Sequence, residues 1–147
     1  MKKMIATTTL ALGLVWSVCA AQGAGVRVQD PWLRATPPGA TVAGGFLTLI
    51  NDGSQPDRLV RVESPLAARV ELHETRAEGG TMRMRALPDG LTVPAHGQVV
   101  LKPGSYHLMF IQPTQALAAG MQVQATLVFE RAGQVPVTFV VRPMGAR

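Results

Sequence analysis

The side chains in this 147-residue chain with the most distinctive chemistry are a few histidines and methionines. In Gly104-Ser105-Tyr106-His107-Leu108-Met109-Phe110, His107 and Met109 stand two apart. In an extended strand they share one face, while Leu108 and Phe110 share the other. A core uses the Leu/Phe face and has no need of the His/Met face, whereas a soft metal ion would use it. Upstream lie His73, in Val70-Glu71-Leu72-His73-Glu74, and Met84, in Thr81-Met82-Arg83-Met84-Arg85. His73, Met84, His107 and Met109 together offer two imidazoles and two thioethers, a donor set for a single copper ion in the Cu(I) state.

Cu(I) is a soft, closed-shell ion with weak geometric demands, and thioether sulfur and imidazole nitrogen both suit it. Zinc would be expected to recruit Cys, His or carboxylates rather than Met. A blue-copper centre requires a Cys. The single cysteine, Cys19, lies in the leading apolar segment. In an oxidising compartment paired thiols tend to close into a disulfide, while thioethers oxidise less readily. A thiol-free His/Met site therefore fits the carriage of reduced copper outside the cytoplasm.

Each residue also has a plainer reading. A lone strand histidine usually faces solvent or makes an ordinary hydrogen bond. Met82 and Met84 alternate with Arg83 and Arg85, so patterning alone would bury both methionines as core filler, and spacing alone does not choose between them as ligands. His96, between Ala95 and Gly97, reads as a surface turn residue. Glu71 and Glu74 flank His73 either as groups that orient its ring or as part of a solvated strand edge. Trp32, near Pro31 and Pro37-Pro38, reads as a packing anchor. No Ser-His-acid arrangement, phosphate-cradling glycine loop or carboxylate pair stands out, so no enzymatic activity is expected.

The elements that must position these residues are short strands. Val, Leu and Thr recur in runs cut by Gly, Pro, Asp and Asn, with 15 Gly and 11 Pro in the chain, which is an all-β pattern. Strands are expected at Val26–Gln29, Trp32–Thr36, Gly45–Ile50, Asp57–Glu63, Arg69–Thr75, Thr81–Ala86, Leu91–Pro94, Gln98–Lys102, Tyr106–Gln112, Gln122–Glu130 and Val135–Arg142. Thr114–Ala119 is expected to make one helical turn. Glu78-Gly79-Gly80 should fold the His73 strand back on the Met84 strand. With turns every eight to twelve residues, the reading is a Greek-key β-sandwich of about nine short strands.

Residues 1–24 read as a secretory signal peptide. Lys2 and Lys3 precede the uncharged apolar run Met4–Ala20, and small residues follow, placing cleavage after Ala21 or Ala24. Val18 directly before Cys19 argues against a lipoprotein cleavage site. Processing would leave residues 25–147 as one domain without a cysteine and lower the formal net charge from +5 to +3. A periplasmic location, no stable membrane insertion and a monomer are the corresponding expectations. The remaining arginines are scattered, without the basic, aromatic-interleaved run that would indicate nucleic acid.

The chain resembles the periplasmic copper chaperones known as PCuAC proteins. Their hallmark is a His, ten residues, a Met, about twenty-one residues and a His-x-Met; here the intervals are ten and twenty-two residues, ending in His107-Leu108-Met109. The likeness takes in Trp32-Leu33-Arg34-Ala35-Thr36-Pro37-Pro38-Gly39, Asn51-Asp52-Gly53, Asp57-Arg58-Leu59 and Met82-Arg83-Met84-Arg85. It implies a cupredoxin-like sandwich, a near-surface Cu(I) site of His73, Met84, His107 and Met109, and the choice of Met84 over Met82. It also implies copper delivery for the CuA centre of cytochrome c oxidase, to its subunit II or to a thiol protein of its assembly. Ser105 stands where the family commonly has a Gly. The chain ends at Pro143-Met144-Gly145-Ala146-Arg147, a departure from members with a His/Met-rich tail that puts a tail-based Cu(II) site in doubt. The alternatives are a copper-buffering or resistance protein with the same site, and a metal-free β-sandwich interaction module.

Overall fold

The computed structural model describes residues 25–147, and the segment read as a signal peptide lies outside the described residues. Ten strands follow in order: β1 Val26–Arg34, β2 Val42–Asn51, β3 Asp57–Glu63, β4 Ala67–Glu78, β5 Thr81–Ala86, β6 Leu91–Val93, β7 Gly97–Leu101, β8 Tyr106–Pro113, β9 Gln122–Phe129 and β10 Gly133–Arg142. The described residues contain no helix; Thr114–Ala119, expected to form a helical turn, instead runs as bends and a turn. Leu117 there is buried and donates its N–H to Thr36 Oγ1, so packing and a side-chain acceptor replace the helical hydrogen bond.

The first two expected strands are one. Asp30 takes a positive φ of 52° and the β1–β2 register shifts between Gln29 and Trp32. Asp tolerates that conformation, and the irregularity lets Asp30-Pro31 bend the strand without ending it.

All ten strands belong to one sheet rather than to two stacked ones. Seven of them, in the order β4, β8, β2, β1, β10, β9 and β3, close into a ring because β3 pairs back to β4 at Val62 and Val70. Closure removes the free edges that an open sheet would present. β5, β6 and β7 flank the ring on β4, β3 and β2. Only β1 and β10 pair in parallel; the other ladders are antiparallel.

Alternation fills the ring from inside. Leu108 and Phe110 of β8, Leu72 of β4, Leu33 of β1 and Phe139 of β10 are all buried. Phe110 and Phe139 meet edge to face at 5.7 Å between centroids, joining opposite walls. Gly45 is needed where β2 passes β8: a Cβ there would lie 2.8 Å from Phe110 and 2.9 Å from Leu33. Outside, Trp32 stacks on Phe46 at 4.4 Å under the guanidinium groups of Arg34 and Arg142, the packing role expected for it.

Strand β4 outruns its neighbour. Its Ala67–Glu74 portion pairs with β8, and its His73–Glu78 portion pairs with β5. Beyond Glu74 the β4–β5 pair projects from the barrel as a two-stranded ribbon. Its tip is Gly79-Gly80, both at positive φ (58° and 81°), with Glu78 opposite Thr81. Two successive positive φ values make a tight two-residue hairpin, a conformation glycine adopts without steric cost.

Candidate metal centre

His73 sits where β4 has neighbours on both sides. It is paired across one ladder with His107 of β8 and across the other with Ala86 of β5. The period of two then determines the rest of the outer face. Met109 is opposite Glu71, and Met84 is opposite Thr75, each one pleat from the histidine pair. All four residues singled out in the sequence thus occupy one face of three adjacent strands, at the base of the ribbon.

The two rings lie 5.8 Å apart between centroids and are tilted by 55°. His107 is 8% exposed and its Nε2 lies 3.2 Å from Met84 Sδ. Its Nδ1 is 2.9 Å from the Ser105 carbonyl oxygen. A carbonyl only accepts, so in the neutral ring the proton is on Nδ1, and Nε2 points an unprotonated lone pair at the sulfur. The same carbonyl accepts the Thr75 N–H at 3.1 Å, which ties the turn before β8 to β4. Ser105 does this without a positive φ, so the Ser in place of Gly needs no special backbone conformation.

His73 is held the other way round. Its Nε2 lies 2.8 Å from Glu71 Oε2, while its Nδ1 is buried without any hydrogen-bond partner. The ionised carboxylate accepts, so Nε2 carries the proton and Nδ1 keeps the lone pair. Arg69 donates to the other oxygen of Glu71 at 2.6 Å. That guanidinium first, and the His73 ring second, hold the Glu71 carboxyl below its ordinary pKa despite opposition from burial. An anionic acceptor behind an imidazole fixes its orientation and strengthens its free nitrogen as a donor, the usual arrangement around metal-bound histidine.

On the opposite face of β4, Glu74 is only 5% exposed. Burial opposes its ionisation, but Arg76, bonded at 2.6 Å, and Arg85, bonded at 2.9 Å and 3.1 Å, together bring its carboxyl below its ordinary pKa. This cluster clamps β5 to β4 directly behind the site. The two glutamates flanking His73 are therefore not a solvated edge: one orients the ring and the other fastens the strand that carries Met84. Glu71 could have been found from its position two residues before His73, on the same face; Glu74 faces away, and nothing local marks it as buried.

Met84 and Met82 are 54% and 60% exposed, so the core-filler reading of this pair does not hold. Every residue of β5 is exposed, because the ribbon has left the barrel and covers no core. His96 is exposed in the turn between β6 and β7 and is not part of the cluster. Among the described residues, no three His, Cys, Asp or Glu side chains converge as a metal cage. Only with the thioethers does the donor set reach four. Two imidazole lone pairs, one without a partner and the other set against a sulfur, fit a soft monovalent cation better than a hard or strictly tetrahedral one.

A family model described as "Putative lipoprotein LpqE-like" matches residues 26–141. The chain is 32% identical over 121 residues to protein Lxx21020 of Leifsonia xyli subsp. xyli, covering 82% of this chain and 72% of that protein. Among solved structures, it is similar to the copper-bound PCuAC domain from PmoF2, with 28% identity, a TM-score of 0.70 and coverage of 81% of this chain and 93% of that one. It is also similar to the solution structure of CuI-DR1885 from Deinococcus radiodurans, with 31% identity, a TM-score of 0.66 and coverage of 84% and 83%.

Proposed function

The chain belongs to the LpqE-like family and is a PCuAC protein, and from that premise we propose that it is a copper carrier that binds one Cu(I) through His73, Met84, His107 and Met109. The observation that carries this reading is the contact of His107 Nε2 with Met84 Sδ at 3.2 Å, beside the partnerless Nδ1 of His73. Two electron-rich atoms in contact with no proton between them gain from a cation they can share. Copper is cargo here: it is bound, held and handed on, and no bond of a substrate is made or broken.

The choice of Cu(I) follows from the donors. Two neutral thioethers and two neutral imidazoles add no negative charge, and they match a soft ion. We read the chain as exported to the periplasm, where a thiol-free site keeps its ligands under oxidising conditions. We read the barrel as cupredoxin-like, and the acceptor as the CuA-bearing subunit of cytochrome c oxidase or a thiol protein of its assembly; the family resemblance supports both readings.

The test is a Cu(I) titration of the purified protein against a competing chelator, repeated with His73→Ala, Met84→Ala, His107→Ala and Met109→Ala. One equivalent should bind, and each variant should bind more weakly, by at least the roughly 10- to 100-fold seen when only a ligand's supporting group is lost. Wild-type protein that fails to compete for Cu(I), or four variants that bind as the wild type does, would overturn the assignment.

A further inference from the structure

Met82 has no structural task that accounts for its position. It stands two residues before Met84 on β5, so the two side chains share a face and their Cα atoms lie about 7 Å apart along the strand. Its cross-strand neighbour is Ala77, and the Gly79-Gly80 tip lies two residues before it, so no large side chain stands directly opposite it. It is 60% exposed, and β5 is the terminal strand of the sheet. A large apolar side chain exposed at a sheet edge adds nothing to the core and invites association. Its distinctive chemical property is a flexible, polarisable thioether.

We infer that Met82 is a relay ligand, a third thioether that takes Cu(I) from the resident site toward an acceptor docked at the tip of the ribbon. This deepens the copper reading above and depends on it. Met109 and the two histidines are held on the barrel wall, whereas Met84 is the exposed member of the set. In the transfer step the Met82 sulfur forms a bond to copper as the Met84 sulfur releases it; acceptor ligands then displace the two histidines and Met109, and finally Met82. Copper remains Cu(I) throughout and no electron changes hands; a thiol acceptor gives up its proton to solvent as it binds copper as a thiolate. Every intermediate keeps a thioether on the ion, so copper is never released to water.

The two methionines can be separated by measuring affinity and transfer rate on the same proteins, with the Cu(I) chelator bathocuproine disulfonate as acceptor and stopped-flow absorbance as the readout. Leu replaces Met at an exposed position with little change in volume, so both variants should fold. Met84→Leu should weaken Cu(I) binding. Met82→Leu should leave affinity within about twofold of wild type and slow transfer by about tenfold, corresponding to about 1.4 kcal/mol of barrier. Free methionine added to Met82→Leu should restore part of the lost rate, which a purely structural role for Met82 would not allow. If Met82→Leu transfers at the wild-type rate, the relay is wrong. If it loses as much affinity as Met84→Leu, Met82 is a resident ligand and the relay is equally wrong. If the wild-type protein binds no Cu(I), it is the underlying copper assignment that fails.

Discussion

His73 and His107 face each other across the β4–β8 ladder with opposite ring nitrogens protonated: Glu71 engages Nε2 of the first, and the Ser105 carbonyl engages Nδ1 of the second. Each ring is thereby left with one lone pair, on Nδ1 of His73 and Nε2 of His107. A symmetric pair of strand histidines would have no such assignment built in.

Glu71 should therefore matter to copper without touching it. Glu71→Ala removes the acceptor that holds the His73 proton on Nε2, and Cu(I) affinity should fall by about 10- to 100-fold with one equivalent still bound. Competition titration measures this. An unchanged affinity would mean that the ring keeps its orientation unaided.

Copper affinity should weaken as the solution is acidified, because each imidazole must be neutral to ligate and protons compete for the same lone pairs. A binding constant that stays flat from pH 5 to 8 would argue against ligation by either histidine.

Glu74 makes a separate prediction about stability. A carboxyl whose folded pKa lies below its ordinary value stabilises the fold above that ordinary value, and the contribution is lost as pH falls through the folded pKa. Glu74→Gln should thus melt at a lower temperature than wild type at pH 7, with the gap narrowing below about pH 4. Thermal melts of both proteins across that range are the measurement; a gap independent of pH would mean that packing rather than charge is what Glu74 supplies.

Gly45→Ala should destabilise the barrel by about 1–3 kcal/mol, since the new methyl must displace the buried rings and branches of Phe110 and Leu33. Denaturant unfolding gives the value directly. An unaltered midpoint would show that β2 can move away from β8 more easily than their packing implies.

Much of the fold could be read locally. The β3 and β5 boundaries follow the sequence pattern to the residue, and the faces of β4 and β8 follow their alternation, because a strand's period of two is imposed by the chain itself. Asp30-Pro31 looked like a strand break and proved to be a bend, since whether an irregularity ends a strand depends on the neighbour that continues to pair with it. The two methionines of β5 look like core by pattern and are exposed, because their strand lies past the end of the barrel. Alternation says which residues share a face, but not whether that face covers anything.

The chemistry of the site was determined by the sequence alone: which donors exist, that they are soft and neutral, that no thiol accompanies them in residues 25–147, and that His107 must share a face with Met109. Tertiary structure decided the rest. The antiparallel register of β4 on β8 sets His73 opposite His107, the ribbon brings Met84 sulfur against His107, and the turn at Ser105 and the Glu71 carboxylate choose which nitrogen of each ring is free. The division has a physical cause. Side-chain direction along a strand is a local steric property, whereas register and protonation depend on groups that meet only when distant segments pair.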